Sequence, residues 1–163
     1  MSANQTETAG TPGQSDTTDS VDKRALVDGL NEDLAHEYAA VILYRTYASA
    51  VTGPFRQELR QFFTTEIADE LGHAQLLADK IIALGGDPVR SAAPVKMAHE
   101  PRAMLQNALE DEEATIARYV ERRRQAEAAG EPGLAVDLDD VIADETKHRD
   151  ELRLMLRRWP EPH

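Results

Sequence analysis

The chain has 163 residues, enough for one domain with a substantial core, and is 41% hydrophobic and 29% charged. Its formal net charge of -12 disfavours a protein that grips nucleic-acid phosphates or an anionic membrane, and suits one that attracts cations. With no cysteine, disulfides, iron–sulfur clusters, thiolate zinc sites and rubredoxin-type iron are excluded, so any bound metal takes oxygen and nitrogen ligands.

Met1 to Ser20 are rich in Ser, Thr, Gly, Gln and Asp and have neither a basic start nor an apolar run. Residues 1–20 therefore read as a disordered tail, not as a secretory or transit peptide. No segment is apolar for long enough to span a bilayer, so the expected location is the cytoplasm and no membrane partner is expected.

A bundle domain is predicted over residues 21–163. Its first helix, about Val21 to Thr52, has the seam Leu26, Leu30, Leu34, Glu37, Val41, Tyr44, with steps of three or four. Thr52, Gly53 and Pro54 break the chain. A second helix, about Phe55 to Leu84, carries Leu59, Phe63, Glu66, Glu70, His73, Leu77, Ile81 and Leu84. Gly85-Gly86-Asp87-Pro88 stops it. Pro101 is well placed in the first turn of a third helix, about Arg102 to Ala129, whose seam Leu105, Leu109, Glu112, Ile116, Tyr119 picks Glu112 out of an acidic cluster. After Gly130-Glu131-Pro132-Gly133, a fourth helix to about Trp159 carries Leu138, Val141, Glu145, His148, Leu152, Met155 and Trp159.

The first-to-second and third-to-fourth junctions are short and predict antiparallel hairpins. A thirty-residue helix is about 45 Å long, and the stretch from Asp87 to Glu100 reaches about 46 Å when extended, so it can cross the bundle from end to end. No strand-like alternation occurs, and the fold class is all-α: an antiparallel four-helix bundle with a long crossover between helices 2 and 3.

Six ionisable residues interrupt the apolar seams at their middles: Glu37, Glu70, His73, Glu112, Glu145 and His148. They form two matching sets, each corresponding pair lying 75 positions apart (112 − 37, 145 − 70, 148 − 73). The spacing of three in Glu70-Leu71-Gly72-His73 and Glu145-Thr146-Lys147-His148 puts carboxylate and imidazole on one helix face, able to share a metal. One such pair is usually a solvated face. Two pairs in register, inside apolar stripes where each charge costs several kcal/mol to bury, require compensation. Four carboxylates carry four negative charges, which two divalent cations cancel. Mixed carboxylate and imidazole ligands suit iron, with manganese and zinc as alternatives. Glu70 and Glu145 are expected to bridge, because each shares a helix with a histidine; Glu37, Glu112 and the histidines are expected to be terminal.

These residues resemble the ferritin-like di-iron carboxylate proteins over about Leu30 to Leu156, with ligands of the kind known for that class. Within it the chain is most similar to bacterioferritin, in Leu30-Asn31, Glu37, Tyr44, the Glu70 and His73 pair, Leu84-Gly85-Gly86-Asp87-Pro88, and Asp144-Glu145-Thr146-Lys147-His148. The resemblance implies a ferroxidase centre at the six residues, where two Fe(II) ions are oxidised by oxygen or hydrogen peroxide for iron detoxification or storage. Leu71 stands where bacterioferritins have the haem-binding methionine, so no haem is expected. The family's cages carry a short fifth helix that this sequence does not show; a symmetric homodimer is the expected minimum, because long bundles commonly pair, and a larger assembly stays open. Two other readings stay open: a di-iron or Mn/Fe oxidase or peroxidase acting on another substrate, and a non-enzymatic protein stabilised by metal. Thr115 stands where rubrerythrin-like peroxidases add a glutamate.

Elsewhere, Glu66 reads either as an entry-path ligand or, by preference, as a solvated neighbour of Asp69, and is left off the ligand set. Tyr44 reads equally as core or as a partner of a carboxylate. His36, His99 and His163 read as surface residues, and Trp159 as a plug for the bundle end or an interface.

Overall fold

The computed structural model describes residues 15–160, with side chains from residue 22 onward. Among the described residues the elements are α1 (Ser15–Ala50), α2 (Arg56–Ala83), α3 (Pro101–Ala128) and α4 (Pro132–Arg157). The tail expected over residues 1–20 lies, for residues 1–14, outside the described residues. From Ser15 the backbone is already helical, ahead of the expected start at Val21. The apolar stripe used to find the helix begins only at Leu26, and the residues before it give no periodic signal.

Helix ends follow the sequence punctuation. Gly85 and Gly130 take φ of 81° and 73°, the left-handed conformation that glycine adopts without a Cβ penalty. Behind them Gly86 N–H reaches the Ile81 carbonyl at 2.9 Å and Glu131 N–H reaches that of Ala126 at 2.9 Å, closing both helices with the same wrap-back. Pro101 and Pro132 open α3 and α4, where a missing N–H costs nothing.

The helices pair as two hairpins, α1 with α2 and α3 with α4, with α1 also packed on α3. The segment between α2 and α3 runs back along α1. Asn31 accepts from Val89 N–H at 2.8 Å, Ala93 N–H donates to the Ala35 carbonyl at 2.8 Å, and Tyr47 and Asn107 both donate to the Lys96 carbonyl. That path is the end-to-end crossover expected from its length.

Buried apolar residues fall into two clusters. One holds Leu26, Leu30, Leu34, Leu77, Ile81, Leu134 and Leu138, and the other Leu43, Tyr47, Leu59, Phe63, Met104, Leu105 and Leu152. Each such leucine contributes about 1.5–3 kcal/mol by leaving water. The clusters occupy the two ends of the bundle, and the polar interruptions lie between them. Val41 and Ile116, placed on the seam by periodicity, are only half-buried; on α1 Leu43, outside the predicted seam, is buried beside Tyr44, which lies on it. Phe55 and Trp159 meet edge to face at 5.5 Å, so Trp159 covers the bundle end.

Candidate metal centre

Every helix brings its mid-seam acid to the same level. Glu37, Glu70, Glu112 and Glu145 are all buried, Glu145 completely, and His73 is 8% exposed. His148 is half-buried. The antiparallel pairing of α2 with α4 sets their Glu-x-x-His turns against each other. Glu145 then lies between the imidazoles, with Oε1 3.0 Å from His73 Nδ1 and Oε2 3.3 Å from His148 Nδ1.

Two groups of donor atoms overlap here: Glu37, Glu70, His73 and Glu145, and Glu70, Glu112, Glu145 and His148, the atoms of each lying within 4.8 Å of one another. Glu70 and Glu145 belong to both groups, which is the arrangement expected of bridging carboxylates. The remaining four residues belong to one group each.

The electrostatics are those of a site built for cations. Burial, followed by the charges of Glu37 and Glu145, holds the Glu70 carboxyl well above its usual range. Burial, then Glu145, does the same for Glu112, and Glu37 is raised chiefly by burial. Burial lowers both imidazoles, but the adjacent Glu145 carboxylate outweighs it and leaves His73 and His148 above their ordinary value. Glu145 shows the reciprocal effect: burial raises it, and the two histidines pull it below the usual carboxylate range.

Around the centre, the tyrosines extend the repeat. Tyr119 Oη donates to Glu37 Oε1 at 2.5 Å, and Tyr44 Oη donates to Glu112 Oε1. Each tyrosine reaches across from α1 to α3 or back, and the two are themselves 75 positions apart (119 − 44). Tyr44 is thus a carboxylate partner, and Tyr119, read from the sequence only as a seam residue, is its counterpart. Extending the 75-residue comparison beyond the ligands identifies it.

Glu66 corrects the expectation of a solvated side chain. It is 5% exposed, its Oε2 is 3.1 Å from His148 Nδ1, and burial raises its carboxyl to about 7. The packing of α2 on α4, invisible in α2 alone, turns it inward. His36 is half-buried, lining a small space with Asp111, Thr115 and Arg118, and burial lowers its imidazole. His99 is exposed. His163 lies outside the described residues.

A family model described as the ferritin-like domain matches residues 27–161. The chain belongs to the ferritin-like domain family. A solved ferritin-like diiron-carboxylate protein from Bacillus anthracis is 48% identical, with a TM-score of 0.82, over 83% of this chain and 97% of its own. The bacterioferritin-related protein of Bacteroides fragilis, described as a dodecameric thioferritin, is 27% identical, with a TM-score of 0.75, over 86% of this chain and 90% of its own. At 22% identity the bacterioferritin of Desulfovibrio desulfuricans shares the fold, with a TM-score of 0.75, over 85% of this chain and 82% of its own. No curated protein matches the chain. None of the four helices of this ferritin-like domain is long and apolar enough to cross a membrane.

Whether the residues of this ferritin-like chain fit the metal pair of its family is answered by their unsatisfied atoms. Glu37 Oε2, both oxygens of Glu145, His73 Nδ1 and His148 Nδ1 are buried and have no hydrogen-bond partner. Their contacts with one another are close but not aligned as hydrogen bonds. Buried polar atoms are left this way only where something else completes them. The ion pairs described for the six residues are all with histidine, and none is with a lysine or an arginine, so bound cations can supply the compensating positive charge. The donors fit two divalent metal ions.

Proposed function

We propose that this chain is a ferroxidase, oxidising Fe(II) to Fe(III) with oxygen or hydrogen peroxide at Glu37, Glu70, His73, Glu112, Glu145 and His148, in the service of iron detoxification or storage. The observation that carries the reading is the overlap of two buried four-residue donor groups through Glu70 and Glu145. Two iron ions held there supply two electrons to one oxidant molecule.

The protein residues divide the work. Glu70 and Glu145 hold the two substrate ions at one level and so bring their electrons to a common point. Glu37 with His73, and Glu112 with His148, close the two ends. Tyr119 and Tyr44 fix the outer carboxylates by binding one oxygen of each and leaving the second free to ligate. The charges balance without a basic side chain, so Fe(II) is favoured over anions, and the closed apolar clusters above and below keep bulk water from the site.

Size favours this reading over an oxidase acting on an organic substrate. The space against Glu70 and Glu112, lined also by Ala40, Leu43, Tyr44, Asp111 and Thr115, measures about 10 Å³. That is room for about one water-sized molecule, a scale nearer to a small oxidant than to an organic substrate.

For assembly, we replace the homodimer expected from sequence with a larger shell, carrying over the dodecameric state named for the Bacteroides fragilis relative. We place the activity in the cytoplasm.

The test is to load the metal-free chain with Fe(II) anaerobically, admit oxygen or peroxide, and follow ferric absorption as the ratio of iron to chain is raised. Fast oxidation saturating at two irons per chain supports the ferroxidase. Continued uptake into soluble protein adds storage. If iron fails to bind, or if Glu70→Ala leaves oxidation at the rate of buffer alone, the assignment falls.

A further inference from the structure

A ladder of polar rungs joins α1 to α3. Arg122 Nε is 2.6 Å from Asp33 Oδ2, Tyr119 Oη donates to Glu37, Tyr44 Oη donates to Glu112, and Asn107 Nδ2 donates to Tyr47 Oη at 3.0 Å. Between the Glu37–Tyr119 and Tyr44–Glu112 rungs, at the level of the candidate metal centre, the next positions in line are Ala40 and Thr115. Each lies three positions after a ligand glutamate, and the two are themselves 75 apart (115 − 40). Ala40 has no group with which to make a rung, so the ladder is interrupted there.

Two adjoining spaces occupy the interruption. The inner one is the space of about 10 Å³ against Glu70 and Glu112. The outer one measures about 60 Å³, and His36, Arg118, Pro94 and Val95 line it. Ala40, Asp111 and Thr115 line both. Pro94 and Asp111 are exposed, so the outer space meets the surface where the crossover runs along α1. Its walls suit a small neutral molecule. The Arg118 guanidinium repels a cation, while Asp111 in the same wall and Asp33, 3.7 Å from Arg118 Nε, offset that charge against a small anion. Thr115 Oγ1 accepts from Arg118 Nη2 at 2.7 Å and still has its own proton to give. A neutral His36 ring adds one donor and one acceptor nitrogen.

We propose that His36, Thr115 and Arg118 form a docking site for hydrogen peroxide on the α1–α3 face, from which peroxide passes between Ala40 and Thr115 to the centre. The proposal rests on the ferroxidase reading and narrows its oxidant. Peroxide has two O–H donors and two acceptor oxygens and is about twice the size of a water molecule, so the outer space holds it whole. Dioxygen has no proton to give and gains little from these groups. In the step that the site feeds, two Fe(II) ions give up one electron each and the O–O bond breaks. With two protons from solvent, both oxygens leave as water.

The test compares oxidants on the full chain. Protein loaded anaerobically with two Fe(II) per chain is mixed by stopped flow with hydrogen peroxide or with oxygen, and ferric absorption is followed. Thr115→Val keeps the side chain's shape and removes the hydroxyl; the ratio of the peroxide-driven rate to the oxygen-driven rate is expected to fall about tenfold, the effect of one lost hydrogen bond. Ala40→Leu fills the interruption and is expected to lower the peroxide-driven rate about tenfold or more. Neither residue belongs to a donor group, so both variants are expected to bind two Co(II) in anaerobic equilibrium dialysis and to keep their helical circular dichroism. Thr115→Val at the wild-type ratio, or Ala40→Leu at the wild-type peroxide rate, overturns the proposal. Slowing that comes with loss of bound Co(II) in both variants also overturns it, because the two residues then serve only the structure of the centre. A wild-type chain that binds no pair of Co(II) ions, or oxidises iron with neither oxidant, overturns the ferroxidase reading instead, so the two failures are told apart.

Discussion

Glu70→Gln removes one negative charge from the middle of the bundle while keeping the side chain's shape. In the metal-free protein Glu70 is 2% exposed, and burial and the charges of Glu37 and Glu145 act against its ionisation. Replacing buried charge by a neutral group of the same volume stabilises proteins by about 1–4 kcal/mol. The lower end applies here, because burial and the neighbouring carboxylates already disfavour the ionised form of this carboxyl. A gain of about 1 kcal/mol moves the melting midpoint of a domain this size by about 2–4 °C. With metal the order reverses. An ion at a hundred times its dissociation constant adds about 2.7 kcal/mol to the wild type, and the variant forfeits this stabilisation because both donor groups lose a bridging carboxylate. The assay is a pair of thermal melts of wild type and variant, with chelator and with Co(II) or Mn(II). A variant that melts below the wild type in chelator, or that keeps the full metal-dependent rise, refutes the argument that these carboxylates are held together for cations.

The same charges predict opposite pH trends. Glu37, Glu70, Glu112, His73 and His148 are raised in the fold, and Glu66 to about 7, so the native state binds protons that the unfolded chain has released. Their contribution is present at low pH and lost as pH rises through their folded values; Glu145, Asp144 and His36, which are lowered, oppose them. Metal-free protein is therefore expected to melt lower at about pH 8 than at about pH 6, and metal-loaded protein higher, because ligation requires deprotonated donors. Tyr119→Phe leaves Glu37 without its donor and is expected to weaken metal affinity about 10–100-fold by calorimetric titration. Away from the centre, Arg122 Nε is 2.6 Å from Asp33 Oδ2 with both side chains buried, and Arg122→Ala is expected to cost about 3–5 kcal/mol in urea unfolding. Gly29→Ala attacks that same pair sterically, since a Cβ there would meet the Arg122 guanidinium at 1.5 Å, and is expected to lower stability in the same assay.

The helices, their breakpoints and the six mid-seam residues were legible in the sequence because they are local and periodic. A period near 3.6 marks a buried stripe, glycine and proline mark its ends, and a carboxylate inside the stripe stands out as an unexplained charge. The 75-residue repeat added register, tying the halves together before any contact was known. It carried further than the ligands, since Tyr44 and Tyr119 obey it too.

What the sequence alone did not decide depends on distances across helices. Glu66 reads from α2 alone as a surface acid beside Asp69; only the packing of α4 brings His148 against both. Tyr119 reads as core until α1 places Glu37 opposite its hydroxyl. Periodicity tells which face a residue takes on its own helix. Which donor atoms meet is fixed by the rotation of each helix against its neighbours, and that is a property of the packed bundle alone.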